Sequence, residues 1–255
     1  MNTSDTQALF EFLQRCGDDR LVLGQRLSEW CGHAPVLEED IALANMALDL
    51  IGHAQATLEL AGKMEGAGRN ADTLAYHRET VDFRNCLLVE QPNGDFAHTI
   101  VRQFFFSVFS YLQWGALAKS SHPDLAGIAA KAQKESRYHC THSSEWILRL
   151  GDGTEESHRR AQDAVNHLWA FTDDLFFADD NEALLQKGGF IGSLESIRPE
   201  WNKMVSEVLT EATLSIPSSE VFMHIGGRRG MHSEHLGHML ATMQIVPRSY
   251  PDASW

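Results

Sequence analysis

Leu37-Glu-Glu-Asp-Ile-Ala-Leu-Ala-Asn-Met-Ala-Leu-Asp-Leu-Ile-Gly-His-Ala-Gln-Ala-Thr-Leu-Glu-Leu-Ala-Gly62 decides the fold class. Ile41, Leu43, Ala44, Ala47, Leu48, Ile51, Ala54 and Leu58 recur close to a 3.6-residue period, the pattern of an amphipathic helix. Gly62 suits its C-terminal stop. Working outward, the spacing predicts a short helix over 5–16 and another from about Arg20 to Cys31, with Leu21, Leu23, Leu27 and Trp30 apolar. Further helices are expected near Leu74–Arg84, Asp95–Lys119, Pro123–Leu150, Glu155–Phe177, Pro199–Thr213 and Ser233–Gln244. Turns fall at His33-Ala-Pro35, Gly66–Asn70, Gln91-Pro-Asn-Gly94 and Gly151–Thr154, and Gly226-Gly-Arg-Arg-Gly230 reads as a surface loop. No alternating strand pattern, internal repeat or linker interrupts this order. The expectation is one all-α domain over 1–255, since long helices joined by short loops favour a bundle. The helix from Asp95 is apolar on most sides, so Phe104-Phe-Phe106, Phe109 and Trp114 read as core.

The chain has 255 residues, and 35 acids against 21 bases give a net charge of −14. That balance argues against a nucleic-acid partner and against docking on anionic lipid. The longest uncharged stretch, Gln103 to Ala118, is shorter than the ~20 apolar residues a membrane helix needs. Asp5, Glu11, Arg15, Asp18 and Asp19 leave no signal-peptide core near the start. Cys16, Cys31, Cys86 and Cys140 are scattered with no Cys-x-x-Cys spacing, which suggests reduced thiols. A soluble, cytoplasmic protein is expected.

Three constellations can carry chemistry. Asp49 with His53, and Glu135 with His139, stand at i, i+4, so each pair shares a helix face. Two such helices can pinch a metal in a bundle core, although helix-surface hydrogen bonds are the plainer reading. His232, His235 and His238 lie at i, i+3, i+6, a stripe that can bind a metal but lacks the spacing of a zinc protease. Arg228 and Arg229, set between glycines, can hold a phosphate or a partner carboxylate. No cysteine has a local activating motif, and no Ser/His/Asp arrangement can be placed.

Arg26-Leu-Ser-Glu-Trp-Cys-Gly-His-Ala-Pro35, Asp49-Leu-Ile-Gly-His53, Leu88-Val-Glu-Gln-Pro-Asn-Gly94, Lys134-Glu-Ser-Arg-Tyr-His139 and Gly230-Met-His-Ser-Glu-His-Leu-Gly237 together resemble the PaaC family of bacterial phenylacetyl-CoA epoxidase subunits. The motifs occur in family order and span most of the chain. The resemblance implies a ferritin-like helical bundle with additional helices. It also implies membership of a multicomponent, NADPH-dependent monooxygenase of aerobic phenylacetate degradation. In that assembly a di-iron catalytic subunit, PaaA, epoxidises the aromatic ring using O₂. PaaC proteins resemble PaaA, pair with it and have lost the metal site.

Ferritin-like di-iron sites take Glu-x-x-His from two helices and one carboxylate from each of two others. Counting back from His53 and His139 gives Leu50 and Ser136 where the glutamates would stand. The single carboxylate of the aromatic helix falls near Ser107, and the fourth position is either Arg20 or Glu29. Asp49 and Glu135 are each one residue off, about 100° around the helix. By the resemblance, this chain carries no catalytic residue and no cofactor, the di-iron centre belongs to the partner PaaA, and the chain works in a hetero-oligomer with PaaA and the other epoxidase subunits. Arg228 and Arg229 are the candidates for an interface or a CoA-phosphate contact. Two rival readings remain: an iron oxygenase using Asp49, His53, Glu135 and His139, and a metal-binding protein using the His232–His238 cluster.

Overall fold

The computed structural model describes residues 3–218, 220–251 and 253, and among them there is no strand. The fold is all-α: a ferritin-like helical bundle with additional helices. In chain order these are α1 (Thr3–Ser28), α2 (Leu37–Glu65), α3 (Ala71–Tyr76), α4 (Leu87–Glu90), α5 (Phe96–Leu117), α6 (Pro123–Gly151), α7 (Glu155–Trp169), α8 (Asp180–Lys187), α9 (Leu194–Glu211), α10 (Glu234–Met243) and α11 (Ile245–Ser249). They fall into two compact units. One holds the residues up to Gln91, Asp180–Leu185 and those from Gly226 onward; the other holds Pro92–Asp179 and Gln186–Ile225.

The first unit is organised on the antiparallel pair α1 and α2. A Cβ at Gly17 would lie 2.6 Å from Leu58 Cγ, and one at Gly24 would lie 3.0 Å from Ile51 Cγ1, so small residues let the two helices approach closely. α1 runs unbroken where the spacing predicts two helices, 5–16 and Arg20–Cys31. Asp18 and Asp19 do not interrupt it because arginines from elsewhere in the unit take up both carboxylates. α2 continues past Gly62 to Glu65. Its stop is Gly66, at φ 71°, whose N–H donates to Gly62 O at 3.1 Å. Gly62 instead lets another segment cross: a Cβ there would sit 2.0 Å from Arg69 O. The helix expected over 74–84 shrinks to α3, capped by Asn70 accepting from Thr73 N at 2.9 Å, and a 3-10 turn at Thr80–Asp82. The short helices α4, α8 and α11 carry too little periodicity to be foreseen.

The second unit is built on the antiparallel pair α5 and α6, with α7 and α9 against them. α5 starts where Asp95 accepts from His98 N at 2.9 Å. Phe104, Phe105, Phe106, Phe109 and Trp114 are all fully buried, so the aromatic run is core. Phe105 meets Trp169 edge-on and touches Trp201, and the Trp201 indole donates to Phe105 O at 3.0 Å. α6 begins with Pro123 in its first turn. α7 opens on a Thr154/Ser157 capping box and stops at Trp169 rather than Phe177. Thr172 Oγ1 donates to Trp169 O at 2.9 Å there, and a 3-10 turn at Asp173–Phe176 folds Leu175 and Phe176 inward. α9 starts one turn before the expected Pro199, which lies inside it.

Candidate functional site

In the second unit, Ser107 and Ser136, the positions that the resemblance sets against di-iron carboxylates, carry neutral hydroxyls. Ser136 of α6 is fully buried, and its Oγ lies 3.3 Å from Ser110 Oγ of α5. Ser107, one turn along α5 from Gln103, accepts from Gln103 Nε2 at 2.9 Å. His139 is buried, and Ser143 donates to its carbonyl at 2.7 Å. In the first unit, Leu50 and His53 of α2 are buried, and Thr57 Oγ1 donates to His53 O at 2.6 Å. Asp49 and Glu135 are half-buried, off the core-facing stripe of their helices, and Glu135 Oε1 lies 3.8 Å from Lys131 Nζ.

The two α1 candidates separate clearly. Arg20 is fully buried, donating to Cys16 O at 3.2 Å and lying 3.8 Å from Asp19 Oδ2. Burial pulls its guanidinium below the ordinary range. Glu29 lies past the end of α1 and pairs with Arg26 at 2.9 Å. The interior α1 position is therefore cationic. A di-iron centre of this class needs anionic oxygens to bridge and neutralise its metals. None of Leu50, Ser107, Ser136 and Arg20, each taken in its own unit, offers an anionic oxygen to such a centre. Among the described residues, no three His, Cys, Asp or Glu side chains are grouped to hold a metal ion.

What α1 does carry is a row of buried ion pairs. Arg15 meets Glu182 at 2.9 Å. Asp18 is held by both terminal nitrogens of Arg78 and accepts from Arg84 N at 2.8 Å. Asp19 takes a two-pronged pair from Arg228, both distances 2.9 Å, and accepts from Cys86 N at 2.8 Å. Arg228 thus does not stand on a surface loop; it is 3 % exposed, inside a 3-10 turn at Gly227–Arg229. Arg229 is exposed. The only sequence signal for this row was a pair of acids set among apolar α1 positions.

The histidine stripe does not converge either. α10 begins at Glu234, so His232 precedes the helix. Its ring turns inward, Nδ1 2.9 Å from Glu90 Oε2 and Nε2 3.0 Å from Phe83 O, whereas His238 is exposed. Glu90, foreseen only as part of a motif, is fully buried and also accepts from Asn85 Nδ2 at 3.0 Å and Ser233 N at 2.6 Å.

A surface cavity of about 390 Å³ in the second unit is lined by Asp95, His98, Arg159, Arg160, Asp163 and His167. His98 Nε2 lies 3.0 Å from His167 Nδ1. Burial first, then Arg102 and His167, push His98 from 6.5 down to about 4. The unfolded chain therefore binds a proton between those values that the folded chain does not. Stability is full above pH 6.5 and falls as pH drops towards 4. Because the ring is partly exposed, the loss expected from this group is only about 1 kcal/mol. Urea titrations at pH 7 and 4.5 should show it, and His98→Asn should remove that increment.

The thiols are sorted by burial. Cys16 and Cys140 are pushed up to about 12 by burial, Cys86 is fully buried, and Cys31 is exposed. A thiol reagent at pH 8 is expected to titrate one cysteine of the native chain rapidly, Cys31, and all four after denaturation. Persistence of the fast thiol in Cys31→Ser would contradict this assignment.

Among the described residues, no helix is long and apolar enough to cross a membrane. The family model described as "Phenylacetic acid catabolic protein" matches residues 1–255. Over 247 residues the chain is 46% identical to the C component of the 1,2-phenylacetyl-CoA epoxidase of Escherichia coli (strain K12), a match that covers 97% of this chain and 99% of that one. Sequence motifs, the helical fold and this identity over nearly the whole length agree, and the chain belongs to the PaaA/PaaC family of phenylacetic acid catabolic proteins.

Proposed function

We propose that this chain is a structural, non-catalytic subunit of a 1,2-phenylacetyl-CoA epoxidase. It binds the di-iron catalytic subunit of the PaaA kind within a hetero-oligomer and keeps it in an active assembly. The observation that carries this reading is the donor set. Leu50, Ser107 and Ser136 stand where carboxylates would bridge iron, and Arg20 holds the interior α1 position. Packing and neutral hydrogen bonds take the place of metal ligation, as an apolar or fully paired polar core can. The relative in Escherichia coli, named as a subunit of the epoxidase, supports placement in that complex. Of the two arginines, Arg228 is buried against Asp19 and Arg229 is exposed, so a partner or CoA-phosphate contact falls to the Arg229 surface.

The test is iron content and turnover, with this chain and the catalytic subunit of the same organism purified separately and together. We expect about two irons per copy of the partner, no stoichiometric iron in this chain, and epoxidation of phenylacetyl-CoA only when both are present with their reductase. Full turnover by the partner alone overturns the proposal. So does about two irons per copy of this chain that are lost on His53→Ala.

A further inference from the structure

The apolar pattern of α2 is wider than the face it buries. Leu43, Met46, Leu50 and Ala54 are turned inward. Leu37, Ile41 and Leu48 are 72%, 53% and 67% exposed, and Val36, just before the helix, is 50% exposed. At 100° per residue, Leu37, Ile41, Ala44 and Leu48 fall within about 60° of arc, on the side opposite the buried one. A contiguous apolar stripe left in solvent marks an interaction surface more often than scattered single residues do.

Gly52 continues the stripe one turn beyond Leu48. A glycine in mid-helix is destabilising, so its presence needs a reason. Gly17 and Gly24 of α1 have one inside the chain, since side chains of α2 fill their space. Gly52 has none: it is exposed, and a Cβ there would meet nothing within 4 Å. An absent side chain at the end of an exposed apolar stripe is what a close backbone approach from outside requires.

Charge narrows the occupant. From Leu37 to Gly62 there is no Lys or Arg, while Glu38, Glu39, Asp40, Asp49 and Glu59 are all acidic. Glu38 and Asp49 border one edge of the stripe and Asp40 the other. A second copy of α2 would set carboxylates against carboxylates, which is costly, whereas a helix with a basic rim is attracted. We infer that the Leu37–Gly52 face of α2 is the docking surface for a helix of the di-iron partner subunit, one presenting an apolar stripe bordered by Lys and Arg. This rests on the structural-subunit reading above and names the surface it uses.

The test compares the unaltered chain with Gly52→Gln and Leu48→Asp. Both positions face solvent, so each variant is expected to keep the thermal midpoint of the isolated chain, and Gly52→Gln to raise it slightly. Affinity for the purified di-iron subunit should fall about 30-fold or more in each, the size of an interface hot spot. If the unaltered chain binds and both variants bind within about two-fold of it, the surface assignment is wrong while the structural-subunit reading stands. If the unaltered chain itself does not bind, that reading fails first and the surface with it. If Gly52→Gln instead turns a dimer of this chain into a monomer and leaves partner affinity unchanged, the occupant is a second copy and the inference is overturned.

Discussion

Arg228→Ala is expected to cost about 3–5 kcal/mol of folding stability, the usual price of leaving one member of a buried ion pair alone. For a chain of this size that is roughly 10 °C in thermal midpoint. The argument is geometric. Asp19 is fully buried, and its two oxygens each receive a guanidinium N–H at 2.9 Å. Removing the guanidinium leaves Asp19 with the Cys86 N–H and a neighbouring Arg20 at 3.8 Å, neither of which replaces a two-pronged pair. The double variant Asp19→Asn/Arg228→Ala removes both charges and should recover part of the loss; with the single variants Asp19→Asn and Arg228→Ala it closes a double-mutant cycle with an expected coupling of about 1–3 kcal/mol. Chemical denaturation of the three variants measures it. If Arg228→Ala left the denaturation midpoint unchanged and weakened only partner or CoA-thioester binding, the residue would be a surface recognition group after all.

That expectation also marks where the sequence stopped being readable. The long helices were legible because their apolar positions repeat at 3.6, and Asp95, Pro123 and Thr154 start α5, α6 and α7 as local chemistry predicts. The continuity of α1 was not legible. Asp18 and Asp19 look like helix breakers until their partners, 60 and 209 positions away in sequence, are in place. Gly62 and Gly66 are equivalent as local stop signals, yet only Gly66 adopts a positive φ, while Gly62 is there for the Arg69 backbone that crosses it. Periodicity also could not separate Ile41 and Leu48 from Leu43 and Ala47, since an apolar residue facing solvent repeats with the same period as one facing the core. The positions compared with a di-iron ligand set were named only through the family motifs, and the burial of Arg20 and the Ser110–Ser136 contact became visible only in the fold.

The Val-Glu-Gln-Pro-Asn-Gly motif that helped place the chain has a structural explanation, and Glu90→Ala should expose it. The carboxylate is fully buried and accepts from three donors: Asn85 Nδ2 at 3.0 Å, His232 Nδ1 at 2.9 Å and Ser233 N at 2.6 Å. Two of those donors belong to the segment leading into α10, so Glu90 fastens the C-terminal part of the first unit to α4. Alanine leaves three donors without an acceptor. Each unmade buried bond costs about 1–3 kcal/mol, and since the segment can relax, a total of about 4 kcal/mol is expected rather than the full sum. The loss should be local before it is global. Arg26 still donates to His235 O at 3.1 Å, His232 Nε2 still lies 3.0 Å from Phe83 O and Leu236, Met239 and Leu240 stay buried, but these contacts do not replace the Glu90 carboxylate that joins the segment to α4. Amide hydrogen exchange should therefore speed up across 231–243 while α5 and α6 keep their protection. Glu90→Gln preserves shape and one carbonyl acceptor, so it should lose less, about 1–2 kcal/mol. Uniform deprotection of all helices in Glu90→Ala would show instead that this motif supports the whole fold, and that the C-terminal segment is not a separately docked element.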